Sequence, residues 1–149
     1  RWLGYSSVDI KKLTLCGLLH DIGKIYEYNE DGSVSKEGSL YDHINIGTRI
    51  LYEEYYHGKD TVYEFSERDL YVLGHILLSH HGKVEWGSSK TPATQEAFIV
   101  HYADYIDTNM YIVHKELQNL ELDETAKTKY AGTLMQTKIT DYSSQYDNN

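Results

Sequence analysis

One cysteine, Cys16, and one proline, Pro92, occur in the 149 residues. A single cysteine excludes a disulfide framework and a zinc finger built on several thiolates. Set in an apolar stretch, Cys16 reads as a small core residue of a protein in a reducing compartment, the cytoplasm. Basic residues are also scarce: 14 Lys and Arg stand against 23 Asp and Glu, a net charge of −9. That balance lacks the basic footprint a stand-alone nucleic-acid binder needs. No hydrophobic run approaches the roughly 20 residues that span a bilayer, and no stretch has the pattern of a secretory leader. Alternating strand patterns and internal repeats are missing too.

What is present is a length suited to one domain, with 15 tyrosines and eight histidines. The tyrosines sit mostly at helical spacing or in the tail, which fits ordinary half-buried packing. Apolar periodicity predicts an all-α bundle of about five to six helices. The first helix is expected over 9–28, capped by Ser7 or Asp9, with Ile10, Leu13, Leu18 and Ile22 as its inner stripe and a break at Gly23. A polar loop over 29–39 leads to a second helix from about 40 to 56. A connection at 57–65 ends in Ser66-Glu67-Arg68-Asp69, which has the form of a capping box. The third helix then runs to His81-Gly82, with Gly82 suited to a left-handed C-cap. Pro92 is expected at or near the first turn of a fourth helix, 93–119. A further helix is expected over 123–140 and a frayed end over 141–149. The abrupt start at Arg1-Trp2-Leu3-Gly4 gives the expectation that the chain is a piece of something longer.

The chemistry centres on Leu18-Leu19-His20-Asp21-Ile22-Gly23-Lys24. A desolvated imidazole and carboxylate need each other, further partners or a metal. Further candidates follow in order: His43, then His80-His81, then Asp104. Each lies at a helix end or on a helix face that also carries core residues. Imidazole and carboxylate ligands suit divalent transition ions with open positions. Simpler readings stay open: His43 as an edge histidine, His80 and His81 as partners of a helix C-terminus, and Asp104 as a surface charge in competition with Asp107. Lys24 reads either as a solvated cation or as a point charge for a phosphate oxygen. His57, His75, His101 and His114 read as bystanders, with His101 a candidate supporting partner of Asp104.

The stretches Gly17 to Lys24, Asp42 to Gly47, Ile76 to Ser88 and Glu96 to Asp107 together resemble the HD superfamily of metal-dependent phosphohydrolases. Within it they look most like the C-terminal HD domain of the YhaM-type 3′→5′ exoribonucleases. The resemblance covers roughly residues 10–110, and Ser79-His80-His81-Gly82 with the following Gly87-Ser88 carries the subgroup. It implies a single HD domain over 1–149, phosphodiester hydrolysis, and divalent ions, two in number, from among Mn, Fe, Ni, Co or Mg. It places His20, Asp21 and Asp104 on one ion and His43, His80 and His81 on the other, with Asp21 bridging and Lys24 neutralising charge at phosphorus. The substrate it implies is single-stranded RNA or DNA. A small or cyclic nucleotide is the alternative, and a catalytically silent HD module is the second alternative. Two departures stand out. The family's first His would fall before Arg1, and the OB-fold domain of the subgroup does not appear in the chain. Neither the metal nor the oligomeric state follows from the sequence.

Overall fold

The computed structural model of the chain describes residues 8–57, 66–118, 125–128 and 132–135. Of the expected connection at 57–65, His57 is the last residue of a helix and 58–65 lie outside the described residues, as does the expected frayed end at 141–149. The backbone divides into two compact units, Arg1–Asp104 and Tyr105–Asn149.

In the first unit, α1 spans Ile10–Leu19. Its start is capped by Asp9, whose carboxylate accepts from the backbone N–H of Lys11 and Lys12 at 2.9 and 3.3 Å. The expected 9–28 helix is two helices. A turn over His20–Gly23 separates α1 from a short α2, Lys24–Glu27, and is closed by Lys24 N–H donating to Asp21 O at 2.9 Å. Gly23 sets this geometry by close approach. A Cβ there would lie 1.9 Å from the His43 carbonyl oxygen and 2.7 Å from Gly47 N. The expected inner stripe of α1 is also corrected, because Leu18 is 74% and Ile10 55% exposed. A ten-residue helix meets α4 along one side only, the Leu13–Cys16 side.

α3 spans Gly38–His57 with a break at Asp42, whose φ of 54° and ψ of 168° are not helical. Such a conformation costs a residue with a Cβ about 1–3 kcal/mol. Asp42 accepts from the backbone N–H of Asn45 at 3.0 Å, as an N-cap does. His43 thereby becomes the first residue of the main part of α3. α4, Glu67–Ser79, opens on the expected capping box, with Ser66 and Asp69 satisfying each other's backbone N–H groups. Asp69 also takes an ion pair from Lys12 of α1. After α4 the chain turns at Gly82, φ +84°, and makes a 3₁₀ turn over Val84–Trp86. α5 spans Gln95–Leu117. Pro92 stands outside it. The first turn is capped instead by Thr94, whose hydroxyl accepts from Ala97 N–H at 3.2 Å.

The core of the first unit joins Cys16, Leu73, Ile76, Ala97 and Val100, with Leu13, Leu51 and Val72 packed against them. Burial pushes the Cys16 thiol up to about 11, as expected for a core cysteine. The second unit contains the rest of α5 and a hairpin, β1 Thr125–Thr128 and β2 Gly132–Met135. The strands are antiparallel, with Thr125 opposite Met135 and Thr128 opposite Gly132. This overturns the helix expected over 123–140. Thr125, Thr128 and Thr133 favour extended backbone, and Gly132 disfavours helix. The unit that carries the candidate site is helical, and the fold class is all-α. Among the described residues no helix is long and apolar enough to cross a membrane.

Candidate metal centre

The turn after α1 presents His20 and Asp21. The first turn of the main part of α3 presents His43, the end of α4 presents His80 and His81, and α5 presents Asp104. All six meet around the Asp21 carboxylate. Asp21 Oδ1 lies 3.5 Å from His43 Nε2 and 3.7 Å from His80 Nε2. Its Oδ2 lies 3.4 Å from His20 Nε2, and Asp104 Oδ1 is 3.8 Å from the same nitrogen. His81 joins through His43, with their Nε2 atoms 3.2 Å apart. Lys24 also points here, donating to Asp21 Oδ2 at 2.6 Å. It is paired within the site rather than solvated at a helix end.

The four histidines share one arrangement. The Nδ1 of His20 lies 2.6 Å from Gly17 O, that of His80 2.9 Å from Leu77 O and that of His81 2.9 Å from Trp86 O. His43 Nδ1 lies 3.0 Å from Glu27 Oε2. Each of these oxygens can only accept, so in the neutral ring each Nδ1 carries the proton and each Nε2 is left with a lone pair. The Nε2 atoms of His20, His43 and His80 therefore face the Asp21 carboxylate, and that of His81 faces His43. Between the Nε2 atoms of His43 and His81 there is no proton to share, yet they are 3.2 Å apart. Two ligands of one ion with metal–nitrogen bonds of about 2.0–2.1 Å take such a spacing.

Two atoms of the cluster, Asp21 Oδ1 and His80 Nε2, are buried and make no hydrogen bond. Buried polar atoms in native proteins are normally satisfied, and a divalent cation would satisfy both. His43, His80 and His81 can bring one ligand atom each within 4.8 Å of one another. The donor set therefore fits a divalent ion. The electrostatics agree. His80 is 0% exposed, and burial pushes its pKa down to about 4, so it stays neutral and ready to ligate at physiological pH. Burial raises the Asp21 carboxyl, but the Lys24 hydrogen bond and the His20 charge outweigh it and hold its pKa below the usual range. His20 lowers Asp104, and Asp104 in turn raises His20. The Asp21 and Asp104 side chains are each 31% exposed, so the site opens to solvent on their side and closes on the His80 side.

Glu27 has no place in the sequence reading, yet its side chain is only 11% exposed. One oxygen takes His43 Nδ1–H and the other accepts the His43 backbone N–H at 3.2 Å. A carboxylate behind a ligand histidine fixes its tautomer and raises its basicity. The one sequence signal is that Glu27 falls four residues after Gly23, on the α2 face that meets α3. Replacement by Gln should lower divalent-metal affinity about 10- to 100-fold with helical content unchanged. Chelator-competition titration with Mn reads this directly, and an affinity unchanged within experimental scatter would make Glu27 a packing residue only.

Of the expected bystanders, His101 supports the site: its Nδ1 lies 2.7 Å from His80 O. It therefore backs His80. His75 Nε2 accepts from Ala93 N–H at 2.9 Å and holds the loop before α5. Asp104 faces His20.

A His-Asp turn with further histidines and a late aspartate around it, all on helices or at their ends, is the arrangement of an HD domain. The HD domain family model matches residues 2–109, and the chain belongs to that family. Its relatives include the 3′-5′ exoribonuclease YhaM of Bacillus subtilis (strain 168), 36% identical over 129 residues, which cover 85% of this chain and 40% of that protein. The protein of the same name from Geobacillus sp. (strain WCH70) is 36% identical, over 85% of this chain and 38% of its own. That of Bacillus velezensis is 33% identical, over 85% and 40%. The chain thus spans about two fifths of the length of these relatives. No solved structure matches it.

Proposed function

We propose that this domain hydrolyses phosphodiesters with bound divalent ions, releasing nucleoside monophosphates from the 3′ end of single-stranded RNA or DNA. The observation that carries the reading is the convergence of the Nε2 atoms of His20, His43 and His80 on the two oxygens of Asp21, with His81 Nε2 beside that of His43 and with Asp21 Oδ1 and His80 Nε2 buried and unsatisfied. The polynucleotide substrate is taken from the activity that the relatives' names state.

His43, His80 and His81 would hold one ion, and His20 with Asp104 a second, with one Asp21 oxygen turned to each group. When bound, such ions polarise the phosphodiester and make water a nucleophile at neutral pH. The chain's own residues supply the rest. His80 stays neutral because it is buried. Glu27 and the backbone oxygens keep the imidazoles aimed. Lys24 holds an ammonium at the solvent-facing edge of Asp21, where it can meet a phosphate oxygen as a point charge. Manganese is the ion we favour, and the buried free thiol of Cys16 suits a reducing compartment such as the cytoplasm.

The test is a 5′-labelled single-stranded oligonucleotide incubated with the Mn-loaded protein. A ladder shortening one nucleotide at a time from the 3′ end, with monophosphates released, is expected. Hydrolysis of a nucleotide panel with the oligonucleotide left intact would replace the polymer reading by a small-nucleotide one, a substrate that the net charge of −9 repels less than a polymer. No hydrolysis of either would leave a silent HD module.

A further inference from the structure

Trp86 belongs at once to the site and to the surface. Its carbonyl takes the Nδ1–H of His81 at 2.9 Å, while the residue as a whole is 45% exposed. The backbone that carries the ring is thereby tied to His81. The 3₁₀ turn holds its backbone N–H on Lys83 O at 3.0 Å, and Gly87 closes that turn at φ +95°. Other rings continue from it along α5. The His101 ring centroid is 6.5 Å from that of Trp86, Tyr102 is 4.9 Å from His101, and Phe98 stacks on Tyr102 at 6.4 Å and 16°. Tyr102 is 56% and Phe98 47% exposed. Contiguous exposed rings of this kind mark a surface that something covers.

We infer that Trp86 is a stacking platform for the nucleobase at the 3′ end of the substrate strand, with Tyr102 and Phe98 extending the aromatic surface. This rests on the polynucleotide reading of the site and adds how the strand is held. Two features favour a nucleobase over other occupants. The first is charge: in a chain of net −9, phosphate contacts alone bind a strand poorly, so flat rings must carry more of the affinity. Stacking on aromatic side chains does this without regard to base identity. Lys83 adds a local cation, its Nζ 4.4 Å from the Trp86 ring centroid. The second is continuity with the candidate centre. Trp86 is anchored on His81, and His101 stands three residues before Asp104 on α5, so a base on this ring lies next to the group that would cleave behind it.

The test uses the chain with Trp2→Phe, which leaves Trp86 as its one tryptophan. In chelator, an oligouridylate should quench Trp86 fluorescence, and the same strand ending in an abasic 3′ nucleotide should quench it less. With Mn, W86A should raise KM for the intact strand about tenfold, with kcat and bound metal little changed, and W86F should restore most of the loss. On the abasic-ended strand the W86A penalty should shrink to about twofold or less, the coupling expected when one ring meets one base. Equal KM for W86A and the parent on a strand that both degrade overturns the platform and leaves the hydrolase reading standing. Absence of oligonucleotide hydrolysis by the metal-loaded parent overturns both. Quenching that follows protein concentration and ignores oligonucleotide assigns the surface to a second copy of the chain and overturns the inference.

Discussion

Asp21→Ala should abolish metal-dependent hydrolysis while leaving the helices in place. A bound ion contributes several kcal/mol of transition-state stabilisation and each 1.36 kcal/mol is a factor of ten, so a loss of about 10³-fold or more in kcat/KM is expected. The geometry explains the size. Asp21 is the one carboxylate whose two oxygens face opposite groups, His43 and His80 on one side and His20 on the other. Without it the one carboxylate left in the cluster is Asp104, on the His20 side, and Lys24 loses its ion pair. The divalent-metal content per chain of protein purified without chelator should fall to a small fraction of the parent's, with an unchanged far-ultraviolet circular dichroism spectrum. Activity within tenfold of the parent, with metal retained, would move the chemistry away from this cluster.

Gly23→Ala should cost more stability than any other one-carbon change near the site. The added Cβ would meet backbone, at 1.9 Å from His43 O and 2.7 Å from Gly47 N, and backbone cannot rotate aside as a side-chain tip can. Overpacking in a filled interior costs about 1–3 kcal/mol and occasionally more. With contact on two backbone groups about 3 kcal/mol is expected, or about 6–12 °C in Tm for a domain of this size. The displaced partner is the carbonyl of His43, so metal affinity should drop along with stability. A calorimetric melt with and without Mn separates the two effects. If Tm holds to within a degree or two, the turn and α3 are not packed as described.

The convergence of His20, Asp21, His43, His80, His81 and Asp104 was legible because each stands beside apolar residues at a helix end or on a core-facing stripe, where polar side chains need partners. Helix signals with a local mechanism were legible too: the Asp9 cap, the Ser66–Asp69 capping box and the left-handed Gly82. What was hidden depends on contacts distant in sequence. The division of the 9–28 segment into two helices follows from Gly23 lying against α3, which no periodicity shows. Leu18 satisfies an apolar stripe on paper, yet α1 is too short to bury it. Glu27 looks like an exposed acid on an amphipathic turn until α3 brings His43 to it, sixteen residues later. The strands Thr125–Thr128 and Gly132–Met135 fall where a helix is expected, because their antiparallel pairing joins residues up to ten apart and leaves no helical period to detect.

The anchoring of all four imidazoles by oxygens of the polypeptide bears on ion exchange and ion choice. Because Gly17, Glu27, Leu77 and Trp86 hold the rings, the rings need not reorganise each time an ion leaves or arrives. Replacement of one divalent ion by another is then governed by intrinsic affinity and supply, as is general for nitrogen and oxygen donors. The ion found in the protein should track the growth medium, and the same chain loaded from different media should differ in rate before it differs in fold.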